Sequence, residues 1–319
     1  MPSPRLLFSS LSGKFSLYQA VFQQLKRFNY KSRILAVDSN PNCPASSKVG
    51  SFKVLPQLTN LPDENLIHFL QKENITHVLP TRDGELGYWS ERSPLLTQVG
   101  VHVLCSTLDA IQQCEDKLTF NPTPTPSPLA VIPTYSTMPV SQSCRWVVKE
   151  RRGSGSKSIL LNLAADDALR QHGAFDEPVF QPFIEGREFS AEGWMDDQGR
   201  CRAVLLRWRE KVIEGESHKS TTFHNPEWEF AVTELFSSLS GLRGHCLAQI
   251  IVGEDNSLHL VEINPRLGGA SPLSLHAGLD SILWSLQEAG MSGRFEPLFS
   301  PQFGATLSKI KGEAFITYS

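Results

Sequence analysis

An α/β fold, with an open parallel sheet giving way to an α+β C-terminal half, is the class this sequence predicts. Apolar strand-like runs alternate with helix-like stretches in the first third, the pattern of a parallel sheet covered by helices. Farther on, two apolar runs flank Gly253-Glu254-Asp255-Asn256, a turn whose residues tolerate positive φ and make an antiparallel hairpin. Between these regions lies Asn121-Pro122-Thr123-Pro124-Thr125-Pro126-Ser127-Pro128, whose prolines remove backbone donors and enforce an extended linker.

In chain order, Arg5-Leu6-Leu7-Phe8 reads as a strand, Phe15 to Phe28 as an amphipathic helix, and Ser32 to Asp38 as a second strand. Glu64 to Glu73 is helical, and His77 to Pro80 and Val101 to Leu104 are strands. Asp38, Asp83 and Glu85 fall at the strand ends, where sheets of this kind bind ligands. The turn after the first strand, Ser9-Ser10-Leu11-Ser12-Gly13-Lys14, has one glycine where a dinucleotide fingerprint needs three, which argues against a nicotinamide dehydrogenase. Asp38 is then either a loop residue or a substrate contact.

Past the linker, Arg145 to Lys149 reads as a strand followed by Gly153-Ser154-Gly155-Ser156. Small residues let backbone N–H groups surround an anion, although a solvent-exposed turn has the same composition. A Walker A loop would need glycine where Arg151 and Ser156 stand, so a P-loop NTPase is not expected. Pro178 to Ile184 is a further strand, ending in Glu185-Gly186-Arg187-Glu188.

The chemistry concentrates in the hairpin. Glu262 and Asn264 stand two residues apart on a strand and so share a face. If Asp255 and Asn256 form a two-residue turn, Glu254 faces Ser257 and Gln249 stands opposite Glu262, with Cβ atoms about 5 Å apart. Gln249, Glu262 and Asn264 would then form an oxygen-rich cluster suited to a hard cation such as Mg²⁺, held together with substrate phosphates. Arg266 adds a planar fork of donors for a phosphate or carboxylate. A wider turn shifts the register, and the three residues become the wet face of an ordinary hairpin.

The chain has 319 residues, enough for two or three domains, and its 40% apolar and 20% charged content is that of an ordinary globular protein. A net charge of −3 provides no electrostatic footprint for nucleic acid or an anionic membrane. No apolar run approaches the length of a membrane span, and the start has no signal-peptide pattern. The six cysteines are scattered without a CxxC pair, against a disulfide framework or a zinc site. These features predict a reducing cytoplasm.

The order Asp116-Lys117, Val148-Lys149, Gly153 to Ser156, Gln181 to Glu188, Gln249, and Glu262-Ile263-Asn264-Pro265-Arg266 resembles the ATP-grasp superfamily. The resemblance is closest to short proteins related to one half of the carbamoyl phosphate synthase large subunit. Pro80-Thr81-Arg82-Asp83-Gly84-Glu85-Leu86 and Cys114-Glu115-Asp116-Lys117 carry it into the first domain, and only the C-terminal tail lies outside it. It implies an ATP-grasp fold with three parts: an N-terminal open parallel-sheet domain over residues 1–114, a linker and small lid subdomain over 115–184, and an antiparallel catalytic sheet over 185–319. It further implies ATP with Mg²⁺ or Mn²⁺. Lys117 and Lys149 would meet the phosphates, Lys149 also the adenine side, and Gly153, Ser154, Gly155 and Ser156 would form the lid over the β- and γ-phosphates. Gln181, Phe183 and Ile184 match the adenine hinge and Glu188 the ribose-binding acid. Gln249, Glu262 and Asn264 match the metal ligands, and Arg266 the residue that steadies the transferred phosphoryl group.

Two departures accompany the resemblance. The Pro/Thr run follows Lys117 where relatives have a helix, and Gln181 stands where many have Glu, an exchange an amide can serve by donating as well as accepting. The implied activity is ATP-dependent joining of a small-molecule carboxylate to an amine through an acyl phosphate, with release of ADP and phosphate. Phosphorylation of bicarbonate or carbamate, or an ATP-binding regulatory subunit without turnover, are the alternatives. The presence of Lys149, Glu262, Asn264 and Arg266 together speaks for turnover. For the substrate, Arg207, Arg209 and Lys211 lie on a strand and either bind a carboxylate or are solvated charges on its outer face. His218 is a base near the reaction centre or a surface-loop residue, and His276 a packing residue. Gly268 and Gly269 open a helix whose backbone donors could hold the acyl phosphate. Many relatives are dimers, so a homodimer stays open.

Overall fold

The computed structural model describes residues 3–122, 125–139, 144–153, 159–289, 296–310 and 313–318. The chain begins with β1 (Arg5–Phe8), α1 (Phe15–Phe28), β2 (Arg33–Asp38), β3 (Phe52–Val54), α2 (Asp63–Lys72), β4 (His77–Leu79), α3 (Asp83–Gln98), β5 (His102–Val103) and α4 (Leu108–Glu115). The five strands form a parallel sheet in the order β3-β2-β1-β4-β5. Its strands are apolar on both faces because helices cover both. Leu6 and Phe8 point to α1, while Leu7 packs with Leu66, Leu70 and Trp89 of α2 and α3.

A three-stranded antiparallel lid follows, β8-β7-β9, made of β7 (Trp146–Glu150), β8 (Ile159–Leu163) and, after α5 (Ala165–Gln171), β9 (Pro178–Pro182). Alternation divides β7: Trp146 and Val148 enter a small core with Ala168 and Phe180, which sends Val147 and Lys149 to the other face. Ahead of the lid, β6 (Leu129–Val131) leaves the linker to pair in parallel with a strand of the large sheet.

That sheet is built from β10 (Arg187–Met195), β11 (Cys201–Ile213), β12 (Glu216–Phe223), β13 (Gly244–Val252), β14 (Leu258–Asn264), β15 (Ala305–Ile310) and β16 (Glu313–Tyr318), with α6 (Pro226–Ser238) between β12 and β13. Its order is β16-β15-β12-β11-β10-β13-β14-β6, antiparallel except where β6 joins. One face packs on α6 through Phe189, Leu206, Ala248, Ile250, Ile263 and Phe236. The opposite face is split. Its Trp194 and Leu205 end is covered by α7 (Ser271–His276) and α8 (Ser281–Ala289), and the rest carries the polar residues considered below.

The N-terminal sheet and α7–α8 share one core: Leu6, Phe8, Val21 and Leu25 cluster with Leu267, Leu275, Ile282 and Leu286. At its margin Arg27 grips Asp280 with two bonds of 2.6 Å, and Gln24 donates to the same carboxylate at 3.2 Å. Among the described residues no helix is long and apolar enough to cross a membrane.

At the amino ends of the parallel strands His77 pairs with His102, their ring centroids 5.5 Å apart. His77 Nδ1 meets Thr76 Oγ1 at 2.8 Å, while Nε2 is buried without a hydrogen-bond partner. Burial, helped by the neighbouring His102, pushes the His77 pKa down to about 4. The unfolded chain therefore binds a proton that the folded chain refuses once the pH drops below the ordinary histidine value. Between pH 7 and pH 5 this should remove about 2 kcal/mol of stability, and urea unfolding of His77→Gln should lack that component of the pH dependence.

Candidate active site in the cleft

The polar face of the large sheet supplies the floor. Phe189 and Ala191 on β10, Ala248 and Ile250 on β13, and Ile263 on β14 enter the α6 core, so Glu188, Ser190, Gln249, Glu262 and Asn264 project to the opposite side. Ser190, Gln249 and Glu262 lie in one row across three strands. Gln249 Nε2 and Asn264 Nδ2 both donate to Glu262 Oε1, at 2.8 and 2.9 Å.

This register arises differently from the sequence expectation. The turn is wider than two residues: the Gly253 N–H donates to the Ser257 carbonyl at 2.9 Å, and Val252 opposes Leu258. That turn alone would place Val261 opposite Gln249 and swing Glu262 toward the α6 core. Instead Ile250 opposes Leu260 and Gln249 opposes Glu262, so Val261 is the extra residue of a bulge that restores the pairing.

Lys149 faces this cluster from the lid. It is 6% exposed, and among the described residues its ammonium has neither a hydrogen-bond partner nor a carboxylate within ion-pairing distance. Burial lowers its pKa to about 8, Lys117 acts in the same direction, and Glu262 opposes them. Lys117 Nζ donates to the Gly153 carbonyl at 2.9 Å. Beside it Asp116 accepts from Arg151 at 2.7 and 2.6 Å and from Arg152 at 3.1 Å, which holds its carboxyl well below the usual range. The two residues strap the end of α4 to the lid. Ser154, Gly155 and Ser156 lie outside the described residues.

At the hinge, Gln181 is buried and donates through Nε2 to Thr134 Oγ1 at 2.7 Å. The Phe183 N–H is taken by the Arg145 carbonyl at 2.7 Å, and Phe183 and Ile184 are half-buried at the end of β9. Glu188 forms an ion pair with Arg209 Nε at 2.9 Å, and Arg209 Nη2 donates to the Gly215 carbonyl at 2.9 Å. Burial raises the Glu188 pKa, with the nearby Glu262 charge adding to it and Arg209 opposing.

The expected substrate residues are scattered. Arg207 is 1% exposed, and its Nε donates at 2.7 Å to Glu192, which is fully buried and lies 3.1 Å from His245 Nε2. Arg209 is likewise engaged by Glu188, and Lys211 is exposed beside a bulge in the β11–β12 hairpin. His218 belongs to β12, half-buried, so it is a strand residue where a loop was expected. His276 is exposed and stacks on Tyr318. The Gly268 N–H is committed to Ser271 Oγ at 2.7 Å, and a Cβ on Gly268 would come within 2.9 Å of Leu247. On Gly269 a Cβ would meet the Glu216 carboxylate, so at either glycine a side chain would have to shift to admit a Cβ.

Arg266 is gripped by Asp83 at the start of α3, through Nε and, at 2.5 Å, through Nη2, and its Nη2 reaches Asn264 Oδ1 at 3.4 Å. Asp38 accepts from the Ser12 N–H and hydroxyl at 2.8 Å and from the Asn40 N–H at 2.9 Å, which makes it a loop anchor. Sequence reasoning missed the Asp83–Arg266 pair and also Lys14, whose Nζ lies at the same strand ends. The visible signal for Lys14 was its place in the loop after β1.

Among the described residues no group of three His, Cys, Asp or Glu side chains could hold a metal ion. The donor set here is one carboxylate and two amides. That suits Mg²⁺ taken up together with phosphate oxygens and water, rather than in an all-protein cage.

An ATP-grasp domain model matches residues 112–270, and the model of a PylC-like N-terminal domain matches residues 6–104. The chain belongs to the ATP-grasp superfamily and carries a PylC-like N-terminal domain. No curated protein matches it by sequence. Among solved structures, N5-carboxyaminoimidazole synthetase from Staphylococcus aureus, complexed with ADP, superposes with a TM-score of 0.71 at 15% identity, covering 96% of this chain and 82% of that one. The biotin carboxylase domain dimer of the Hydrogenobacter thermophilus 2-oxoglutarate carboxylase, in complex with MgADP, ADP and bicarbonate, gives 0.70 at 13% identity, with 95% and 73% covered. Biotin carboxylase from Campylobacter jejuni gives 0.68 at 11% identity, with 95% and 74% covered. At these identities the likeness is one of fold.

Two outcomes follow from the site. Lys149 loses its charge above about pH 8 in the free protein, so MgADP affinity should fall as pH rises through that value, by up to about tenfold per unit. In Lys149→Gln the affinity should be weaker and this component absent, as calorimetric titration would report. Arg207→Met strands the buried Glu192 carboxylate and should cost about 3–5 kcal/mol in urea unfolding, most of it recovered in Arg207→Met/Glu192→Leu.

Proposed function

We propose that the protein is an ATP-dependent carboxylate–amine ligase that works through an acyl phosphate. The observation that carries this reading is Lys149, a buried ammonium without a carboxylate partner, facing a Gln249–Glu262–Asn264 cluster that continues into Arg266. An unpaired buried ammonium facing an oxygen-rich cluster is complementary to a polyphosphate and its cation.

The chemistry is displacement at phosphorus. A substrate carboxylate oxygen attacks the γ-phosphorus of ATP, the bond to the bridging oxygen breaks, and ADP leaves. An amine then attacks the acyl carbon of the acyl phosphate, inorganic phosphate departs, and the amine proton passes to solvent or a nearby base. Two anions must meet in the first step, so charge neutralisation dominates the barrier. Lys149 and Lys117 serve the phosphates of the nucleotide, and Arg266 serves the phosphoryl group in transit. Asp83 fixes the guanidinium plane of Arg266, so little reorganisation is required when charge shifts. Mg²⁺, held by Glu262 with the amide oxygens of Gln249 and Asn264, would supply Lewis-acid polarisation of the phosphates. Glu188 would serve the ribose hydroxyls, and the free backbone groups at Phe183 and Ile184 the adenine edge. The lid, once over the phosphates, protects the acyl phosphate from water.

The test is MgATP turnover with pools of amino acids and carboxylic acids, with hydroxylamine as the trap. Pool-dependent release of ADP with hydroxamate formation is the expected result, and Glu262→Gln should lower turnover by about 10²-fold or more. Release of AMP would overturn the mechanism in favour of an adenylate route.

A further inference from the structure

At the carboxyl ends of the parallel strands the nucleotide and metal reading gives Lys14 and Arg82 no task. Lys14 stands in the loop between β1 and α1, and Arg82 stands between β4 and α3. From β1 and β4 the strand order of the N-terminal sheet runs outward in opposite directions, and open α/β sheets bind ligands at such a switch point. Lys14 Nζ donates to the Ser10 carbonyl and to Thr81 Oγ1, each at 3.1 Å, so both acceptors are neutral. Among the described residues no carboxylate lies within ion-pairing distance of Lys14 or Arg82.

The acids at this end of the sheet are already engaged. Glu85 accepts from the N–H groups of Thr81 and Arg82 at 2.8 and 3.0 Å and from the hydroxyls of Ser9 and Ser10. Asp83 holds Arg266 with both oxygens. Burial pulls the Lys14 pKa down to about 8, with the charges of Arg266 and Arg82 adding to the fall and those of Glu85 and Asp83 opposing it. An ammonium withdrawn from water with only neutral acceptors in direct contact is costly, and an anionic ligand that contacts it offsets that cost. The loop that carries it is itself strained. Ser10 and Ser12 have φ of 54° and 28°, values uncommon for residues with a Cβ, and such strain gathers at ligand sites.

We propose that Lys14 and Arg82 form an oxyanion subsite that anchors a carboxylate or phosphate group of the substrate other than the group that reacts. The proposal rests on the ligase reading above and narrows its substrate class to molecules with an anionic group to spare, such as dicarboxylic acids, amino acids or phosphate esters. Arg266 then serves the reacting end, while the switch-point cations hold the distal end. The separation of these duties fixes which carboxylate of the substrate meets ATP.

The experiment is a thermal-shift titration of the full chain with succinate, L-glutamate and inorganic phosphate, each with and without the non-hydrolysable analogue MgAMPPNP. Stabilisation by succinate or glutamate assigns a carboxylate ligand, and stabilisation by inorganic phosphate assigns a phosphate. In Lys14→Met and Arg82→Met that anion should bind about tenfold or more weakly, the loss of a charge-assisted hydrogen bond, with the MgAMPPNP response kept. Lys72→Met, an exposed change on α2, should behave as the parent. Arg82 is exposed, so its replacement keeps the test valid if Lys14→Met fails to fold. Absence of any anion response in the parent protein, or an unchanged affinity in both variants, would overturn the subsite. A missing MgAMPPNP response would count against the ligase reading instead, and the titration without nucleotide would still decide the subsite.

Discussion

The pairing of β13 with β14 is the constraint on which the rest of the site depends. Seven residues of β14 bury Leu258, Leu260 and Ile263 against α6 and still present Glu262 and Asn264 to the cleft. A simple alternation cannot do this from a turn of the observed width. The bulge at Val261 reconciles the two demands by changing parity midway along the strand. Once Glu262 faces the cleft, Arg266 follows two residues beyond Asn264 and meets Asp83 from the other half of the molecule.

Electrostatics then explain why the cleft is built from three pieces. The lid brings Lys149, the large sheet brings Glu262 and Arg266, and the parallel sheet brings Lys14, Arg82 and Asp83. Charges that are structural, such as Arg207 with Glu192 or Arg27 with Asp280, are paired at hydrogen-bond distance. Lys14 and Lys149 are not, although each is drawn from water far enough to lower its pKa. That contrast is the ground on which Lys14 and Lys149 are proposed to meet ligands.

Much of this was legible in the sequence, for reasons that differ from residue to residue. The apolar runs of β1, β2 and β4 are continuous because helices cover both faces, and they were read correctly as a parallel sheet. The opposition of Gln249 and Glu262 was read from a turn that does not form, and it survived because the bulge cancels the error. Helix α3 was missed because Gly84, Gly87 and Pro94 interrupt its pattern. The β15–β16 hairpin, at the edge of the sheet, offers little apolar alternation on its exposed side. The role of Arg207 was illegible because its partner Glu192 sits on the neighbouring strand, and nothing local marks that pairing. Asp83 and Arg266 are far apart in sequence, and only the tertiary fold brings them together.

The shared core of the N-terminal sheet with α7 and α8 has a consequence for how such a chain can change. Leu267, Leu275, Ile282 and Leu286 are drawn from the far end of the sequence, yet they finish the interior that β1 and α1 begin. A cut near residue 114 would therefore sever a hydrophobic unit rather than release a module. Recombination with a relative at that boundary would inherit mismatched packing as well as an orphaned partner for Arg266. New specificities are thus more readily reached by exchanging individual side chains at the rim of the parallel sheet than by trading whole segments.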